Sequence, residues 1–318
     1  MFVDTFELSC FVPSRQDGRA LETRVEMSQA MASESPAATG FSPHHAIVFL
    51  HPYPPLGGQF RNNVVHELNG HYAKRIALAV SFNLRGAGRS EGGTSWTGLA
   101  EQEDLRTVLD ALAQRRLPMH AHKFLKTSRR STLLHMQARG FLDADTPIED
   151  MDHVPLPPIS HVLLCGYSYG SVVASAISPD EYPQLSIDYA YVSFPYSVLW
   201  ALTLHRKSWY LQHIEATITA AAIAFASNGA DANAPRTIFV SGTSDTFTSI
   251  SSYERWWTGL RARATLAVTQ ALAGADNAEA RAGAAVERAL ATVSVQNADH
   301  GWCRRETDVS DALDRWWP

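Results

Sequence analysis

HVLLCGYSYGSVVASAI (161–177) is the stretch on which the fold turns. Its first part is a continuous apolar run, as expected of a strand buried on both faces of a parallel sheet. Its last part opens a helix. Between them lies Gly166-Tyr167-Ser168-Tyr169-Gly170, a serine flanked two residues away on each side by glycine. A serine in a tight strand-to-helix turn sits on a strained backbone with its hydroxyl at the tip. The strand and helix nearly collide there, so the flanking positions must lack bulk. Without that strand and helix context, the same five residues describe only a glycine-rich turn.

Working outward, further strands are expected at AIVFLH (46–51), IALAVSFNL (76–84), YAYVSF (189–194), TIFVSG (237–242) and ATVSVQ (291–296). FELSCFV (6–12) and ALETRVEM (20–27) read as two edge strands paired with each other, followed by a Ser-, Ala- and Pro-rich loop over 28–44. Helical patterns fall at 64–76, at 98–116, in a Trp-bearing helix and an Ala-rich helical pair before the last strand, and in DVSDALDRWW near the end. Strands alternating with helices predict one mostly parallel sheet covered on both faces. The segments 117–160, 195–230 and 261–290 are expected to be insertions, with 195–230 placed as a small cap over the nucleophile and all three carried on a single domain spanning 1–318.

The composition narrows the classes of function. With 45% hydrophobic and 19% charged residues, the 318-residue chain has the make-up of a globular protein, not a disordered one. Lys and Arg number 27 against 32 Asp and Glu, so there is no basic surplus for binding nucleic acid. Cys10, Cys165 and Cys303 lie far apart, with neither zinc spacing nor a disulfide framework. The opening residues lack the basic-then-apolar pattern of a secretory signal, and no apolar stretch reaches membrane-spanning length. These features point to a cytoplasmic, reducing setting.

A serine hydroxyl needs an adjacent base to become a nucleophile. His300, in NADHGW (297–302), lies just after the last strand, whereas His205 and His213 fall too early in the chain. For the acid that orients the base, Asp245 follows TIFVSG directly; Asp180 and Asp299 are the alternatives. The oxyanion formed during acyl transfer needs N–H donors. The backbone N–H of Tyr169, at the start of the helix, is one candidate. In His51-Pro52-Tyr53-Pro54-Pro55 the prolines have no N–H, which leaves Tyr53 as the other. RGAGRS (85–90) lacks the third glycine of a dinucleotide fingerprint and reads as a loop beneath the oxyanion segment, with Arg85 bonding loop carbonyls.

Taken together, HPYPPLGGQFRNNVV (51–65), SFNLRGAGRSEGG (81–93), GLAEQED (98–104), LLCGYSYG (163–170) and NADHGW (297–302) resemble the α/β-hydrolase superfamily. More narrowly, the chain is similar to a group of small serine hydrolases whose pattern runs HPHP..GG...NKVV and then FNFRG.G.S.G. Tyr53 replaces the second histidine of that pattern and Asn63 replaces its lysine. The resemblance implies the α/β-hydrolase fold, with Ser168 as nucleophile, His300 as base and Asp245 as acid. It implies no metal and no cofactor. The expected activity is hydrolysis of a small ester-like molecule through an acyl-enzyme. The same triad also serves acyl transfer, thioester or peptide cleavage, and a silent version of it can simply bind ligand. Trp200, Trp209 and Tyr210, in the aromatic insertion, are expected to line an apolar pocket.

Overall fold

The computed structural model describes residues 5–28, 44–120, 128–149, 151–229 and 233–317. The expected loop at 28–44 lies almost wholly outside these residues. Eight strands form one sheet: β1 (Thr5–Pro13), β2 (Ala20–Ser28), β3 (His45–Leu50), β4 (Leu78–Phe82), β7 (His161–Tyr167), β8 (Ser186–Val192), β9 (Thr237–Gly242) and β10 (Leu290–Val295). Their spatial order is β1-β2-β4-β3-β7-β8-β9-β10. The pairs β1–β2 and β2–β4 are antiparallel and every other pair is parallel. The exchanged order β4-β3 and the long parallel run are the topology of the α/β-hydrolase fold. Two short strands, β5 (Arg116–Pro118) and β6 (His153–Pro155), pair separately.

The alternation of side chains along each strand builds two cores. Ile47, Phe49, Leu163, Cys165 and Val240 point to one face, where α1 (Asn63–Tyr72) and α9 (Glu306–Trp316) cover them. Val48, Leu50, Val80, Leu164 and Phe239 point to the other, under α2 (Leu99–Gln114), α4 (Tyr169–Ala174), α6 (Lys207–Asn228), α7 (Ile250–Ala271) and α8 (Ala278–Ala289). Two short helices, α3 (Arg129–Ala138) and α5 (Leu199–Leu202), complete the set among the described residues.

Residues 117–160 and 195–230 gain detail here, and one helical expectation needs correction. Residues 117–160 are integrated with the domain: Leu117 and Val154 are buried where β5 meets β6, and Leu133 and Met136 of α3 join the same core as α2. The Trp-bearing helix and the first Ala-rich segment are one helix, α7, because nothing between Ile250 and Ala271 interrupts its hydrogen-bond ladder. The expected insertion over 195–230 is mostly α6, which packs on α7 and α8 and buries Tyr210, Ile214, Ile218 and Phe225 in the core on this side of the sheet. No helix among the described residues is long and apolar enough to cross a membrane.

Candidate active site

Ser168 stands between β7 and α4 with φ 53° and ψ −119°. A non-glycine residue adopts that region only when its surroundings enforce it, and such strain clusters at working sites. The enforcement comes from both sides. The Ser168 N–H donates to the Val192 carbonyl at 2.8 Å, and the Ser168 carbonyl accepts from Ser171 N–H at 2.9 Å. A Cβ on Gly166 would fall 2.4 Å from the Ser171 backbone, and one on Gly170 would fall 2.4 Å from the Leu50 carbonyl oxygen. Glycine is the residue that lets strand and helix approach so closely.

Segments far apart in the chain converge on this turn. His300 Nε2 lies 2.9 Å from Ser168 Oγ, and His300 Nδ1 lies 2.8 Å from Asp245 Oδ2. The other carboxylate oxygen, Asp245 Oδ1, accepts from the N–H groups of Phe247 (2.8 Å) and Thr248 (3.0 Å), so the side chain cannot rotate away. With Nδ1–H donating to the carboxylate, Nε2 is left as an acceptor facing the serine hydroxyl. Asp245 is buried, and the His300 side chain is only 14% exposed.

The imidazole is held from several directions. The Tyr167 hydroxyl donates to the His300 carbonyl, and the Phe247 ring lies 4.3 Å from the imidazole. Fully buried Trp302 donates its indole N–H to Ser193 Oγ at 2.9 Å, anchoring the loop from below. Asn63, at the position where the resembling pattern has lysine, donates to the Gly301 carbonyl at 2.8 Å and to Glu306 at 2.7 Å. Asp180 sits on a turn after α4 and Asp299 beside His300; neither bonds the imidazole among the described residues.

The loop after β3 is braced by two side chains that the sequence reading did not assign. His51 is fully buried, and burial pushes its imidazole down to about 4, so the ring is neutral. Its Nδ1–H donates to the Pro52 carbonyl at 2.7 Å, and its Nε2 accepts from Leu84 N–H at 2.9 Å. Asn83 accepts from Phe60 N–H at 2.8 Å and donates to Glu22 at 2.7 Å. A single 3-10 turn over Pro54–Leu56 then folds Tyr53 back toward Ser168, and the Tyr53 and Tyr169 rings meet edge to face at 5.0 Å. Among the described residues, neither the Tyr53 nor the Tyr169 backbone N–H has a hydrogen-bond acceptor.

Arg85 does not bond loop carbonyls. Its Nε and Nη2 grip both oxygens of buried Asp104 at 2.7 and 2.6 Å, which joins the loop after β4 to α2. The expected pocket residues divide. Tyr210 is buried, donating to the Thr97 carbonyl and accepting from Gln102. Trp200 is 64% exposed, and Trp209 lies on the surface, stacked on His213 beneath Arg206. A cavity of about 500 Å³ between α6 and residues 178–187 is lined by none of the three converging side chains. No group of three or more His, Cys, Asp or Glu among the described residues is arranged to hold a metal ion.

No protein-family model and no curated protein matches the chain. Solved structures do match along nearly its whole length. One is an alpha-beta serine hydrolase homologue from Coxiella burnetii, 15% identical over 100% of both chains with a TM-score of 0.55. A second is an a/b serine hydrolase without lid from Xanthomonas campestris, 15% identical, covering 98% of this chain and 95% of that one, with a TM-score of 0.53. A third is an esterase from Pyrococcus furiosus, 11% identical, covering 98% and 93%, with a TM-score of 0.52. At these identities the likeness is one of fold.

Proposed function

We propose that this chain of α/β-hydrolase fold is a serine hydrolase that cleaves an ester or related acyl bond of a small molecule through an acyl-enzyme. The observation that carries the reading is the unbroken hydrogen-bond path from Ser168 Oγ through His300 to Asp245, ending on a serine with φ 53°. Ser168 Oγ attacks the acyl carbon while His300 Nε2 takes its proton. Asp245 stabilises the imidazolium that results and keeps its ring in place. The carbonyl oxygen becomes an oxyanion, held by the N–H groups of Tyr53 and Tyr169. Collapse of this intermediate breaks the bond to the leaving alcohol, which leaves with the proton from His300. Water, deprotonated by the same imidazole, then attacks the acyl-enzyme and releases the acid and the free serine. The names of the similar structures, serine hydrolases and an esterase, agree with this reading.

The test uses a fluorophosphonate probe and a short p-nitrophenyl ester. The wild-type chain is expected to label at Ser168 and to turn over the ester, and Ser168→Ala to do neither while unfolding at the same temperature. Ester turnover retained by a folded Ser168→Ala protein would refute the assignment of the nucleophile.

A further inference from the structure

Most of the large apolar side chains exposed on the described surface, Leu134 on α3 and Leu266 on α7 apart, are gathered at one end of the sheet. Leu56 follows β3, Trp96 and Leu99 follow β4, Trp200 and Leu204 follow β8, and Phe247 follows β9. These strands are parallel, so all four segments leave the edge on which Ser168 stands. Scattered exposed apolar residues are ordinary on a monomer, but a group of them around one site marks a contact surface.

Contacts between neighbouring segments close these residues into a rim around the nucleophile. The Tyr53–Tyr169 ring pair ties the Leu56 turn to Ser168. The Tyr210 hydroxyl, bonded to the Thr97 carbonyl, joins the start of α6 to the loop bearing Trp96. Ser197 N–H, bonded to Thr248 Oγ1 at 3.1 Å, joins the segment leading to Trp200 with the one bearing Phe247, which touches His300. Leu56 is 74% exposed and Trp96 69%, so these side chains stand mostly open to solvent.

The rim also carries positive charge. Arg206 lies over Trp209 at 4.8 Å and Lys207 over Tyr196 at 4.5 Å, while Arg61 flanks the loop after β3. None of these three cations is in an ion pair among the described residues. Exposed tryptophans interleaved with unpaired basic side chains form a surface suited to the boundary between water and anionic lipid. A protein partner seated there would shut Ser168 away from its substrate, whereas a lipid surface would present the substrate to it.

We propose that this rim seats the protein on an anionic lipid surface, and that the ester delivered to Ser168 is one drawn from that surface. The substrate assignment rests on the nucleophile reading above; the docking does not. The docking is therefore measured with Ser168→Ala, which leaves the vesicles intact, by flotation with phosphatidylcholine vesicles containing about one third phosphatidylglycerol. Binding that weakens as salt rises and nearly disappears on pure phosphatidylcholine is expected, with a blue shift of tryptophan emission. Adding Trp96→Ser and Trp200→Ser together should weaken that binding by about tenfold or more. In the active protein, the same pair should lower the rate on a micellar long-chain ester relative to a soluble short-chain one. Wild-type turnover of soluble ester without vesicle binding by Ser168→Ala would overturn the inference and leave the hydrolase reading standing. Vesicle binding without turnover of any ester by wild type would uphold the docking and overturn both the hydrolase reading and the substrate assignment. A wild-type dimer that the paired substitution converts to monomer would make the rim a contact between two copies and overturn the lipid assignment.

Discussion

His51→Asn separates the two bonds that brace the loop after β3, and pH sets the sign of the result. The asparagine amide nitrogen takes the place of Nδ1 and keeps the donation to the Pro52 carbonyl, but it leaves the Leu84 N–H without its acceptor. At pH 7.5 that orphaned donor should cost about 1–3 kcal/mol. In the wild-type protein, burial lowers the imidazole from 6.5 to about 4. The unfolded chain therefore binds a proton between those values that the folded chain refuses, and stability falls as pH falls through that window. At pH 5 the penalty comes to about 2 kcal/mol, and it is absent in the variant. The deficit of His51→Asn relative to wild type should therefore shrink by about 2 kcal/mol between pH 7.5 and pH 5, other titrating groups being common to both proteins. Urea unfolding at the two pH values measures it. An equal deficit at both would refute a neutral, buried imidazole at this position. His45, lowered to about 4 by burial and the nearby His161, adds a parallel acid sensitivity that the comparison cancels.

Two further outcomes are expected. Asp245→Asn turns an amide N–H toward His300 Nδ1 and forces the proton onto Nε2, where it can no longer accept from Ser168; kcat on a short ester should fall by about 10⁴ with KM little changed, and a loss below tenfold would move the orienting role to another acid. Arg85→Met strips buried Asp104 of two charged hydrogen bonds and should cost about 3–5 kcal/mol by chemical unfolding, while Arg85→Met with Asp104→Leu should recover most of that loss; a double variant no more stable than the single one would show that the pair does more than neutralise itself.

How much of this was open to inspection in the chain depended on whether the deciding forces are local. TIFVSG (237–242) coincides with β9 to the residue, because its apolar centre Ile238-Phe239-Val240 marks a strand buried on both faces. The Ser-Asp-His order, with each residue just beyond a strand, follows from the same parallel topology. Other features depend on partners distant in sequence. Nothing near His51 announces that its ring will meet Leu84, and nothing near Leu117 announces Val154. The aromatic positions show a different limit. Trp209 and Tyr210 are adjacent in sequence, but one residue is 100° around a helix, which puts one ring at the surface and the other in the core. The loop around Arg85 points to carbonyl partners, and only the return of α2 over that loop brings Asp104 within reach.

The edge strand β10 joins β9 in parallel register, and the backbone between them is tied by Thr243 N–H to Val295 and Ser244 N–H to Ala298. Asp245 and His300 are positioned by that last pairing, and Ser168 was laid down three strands earlier. Under the proposed reading, Ser168 therefore stays a harmless alcohol until β10 has docked beside β9. Reactivity would then certify that folding has reached this border, and a chain that stalls or frays there would stay silent toward the acyl groups around it.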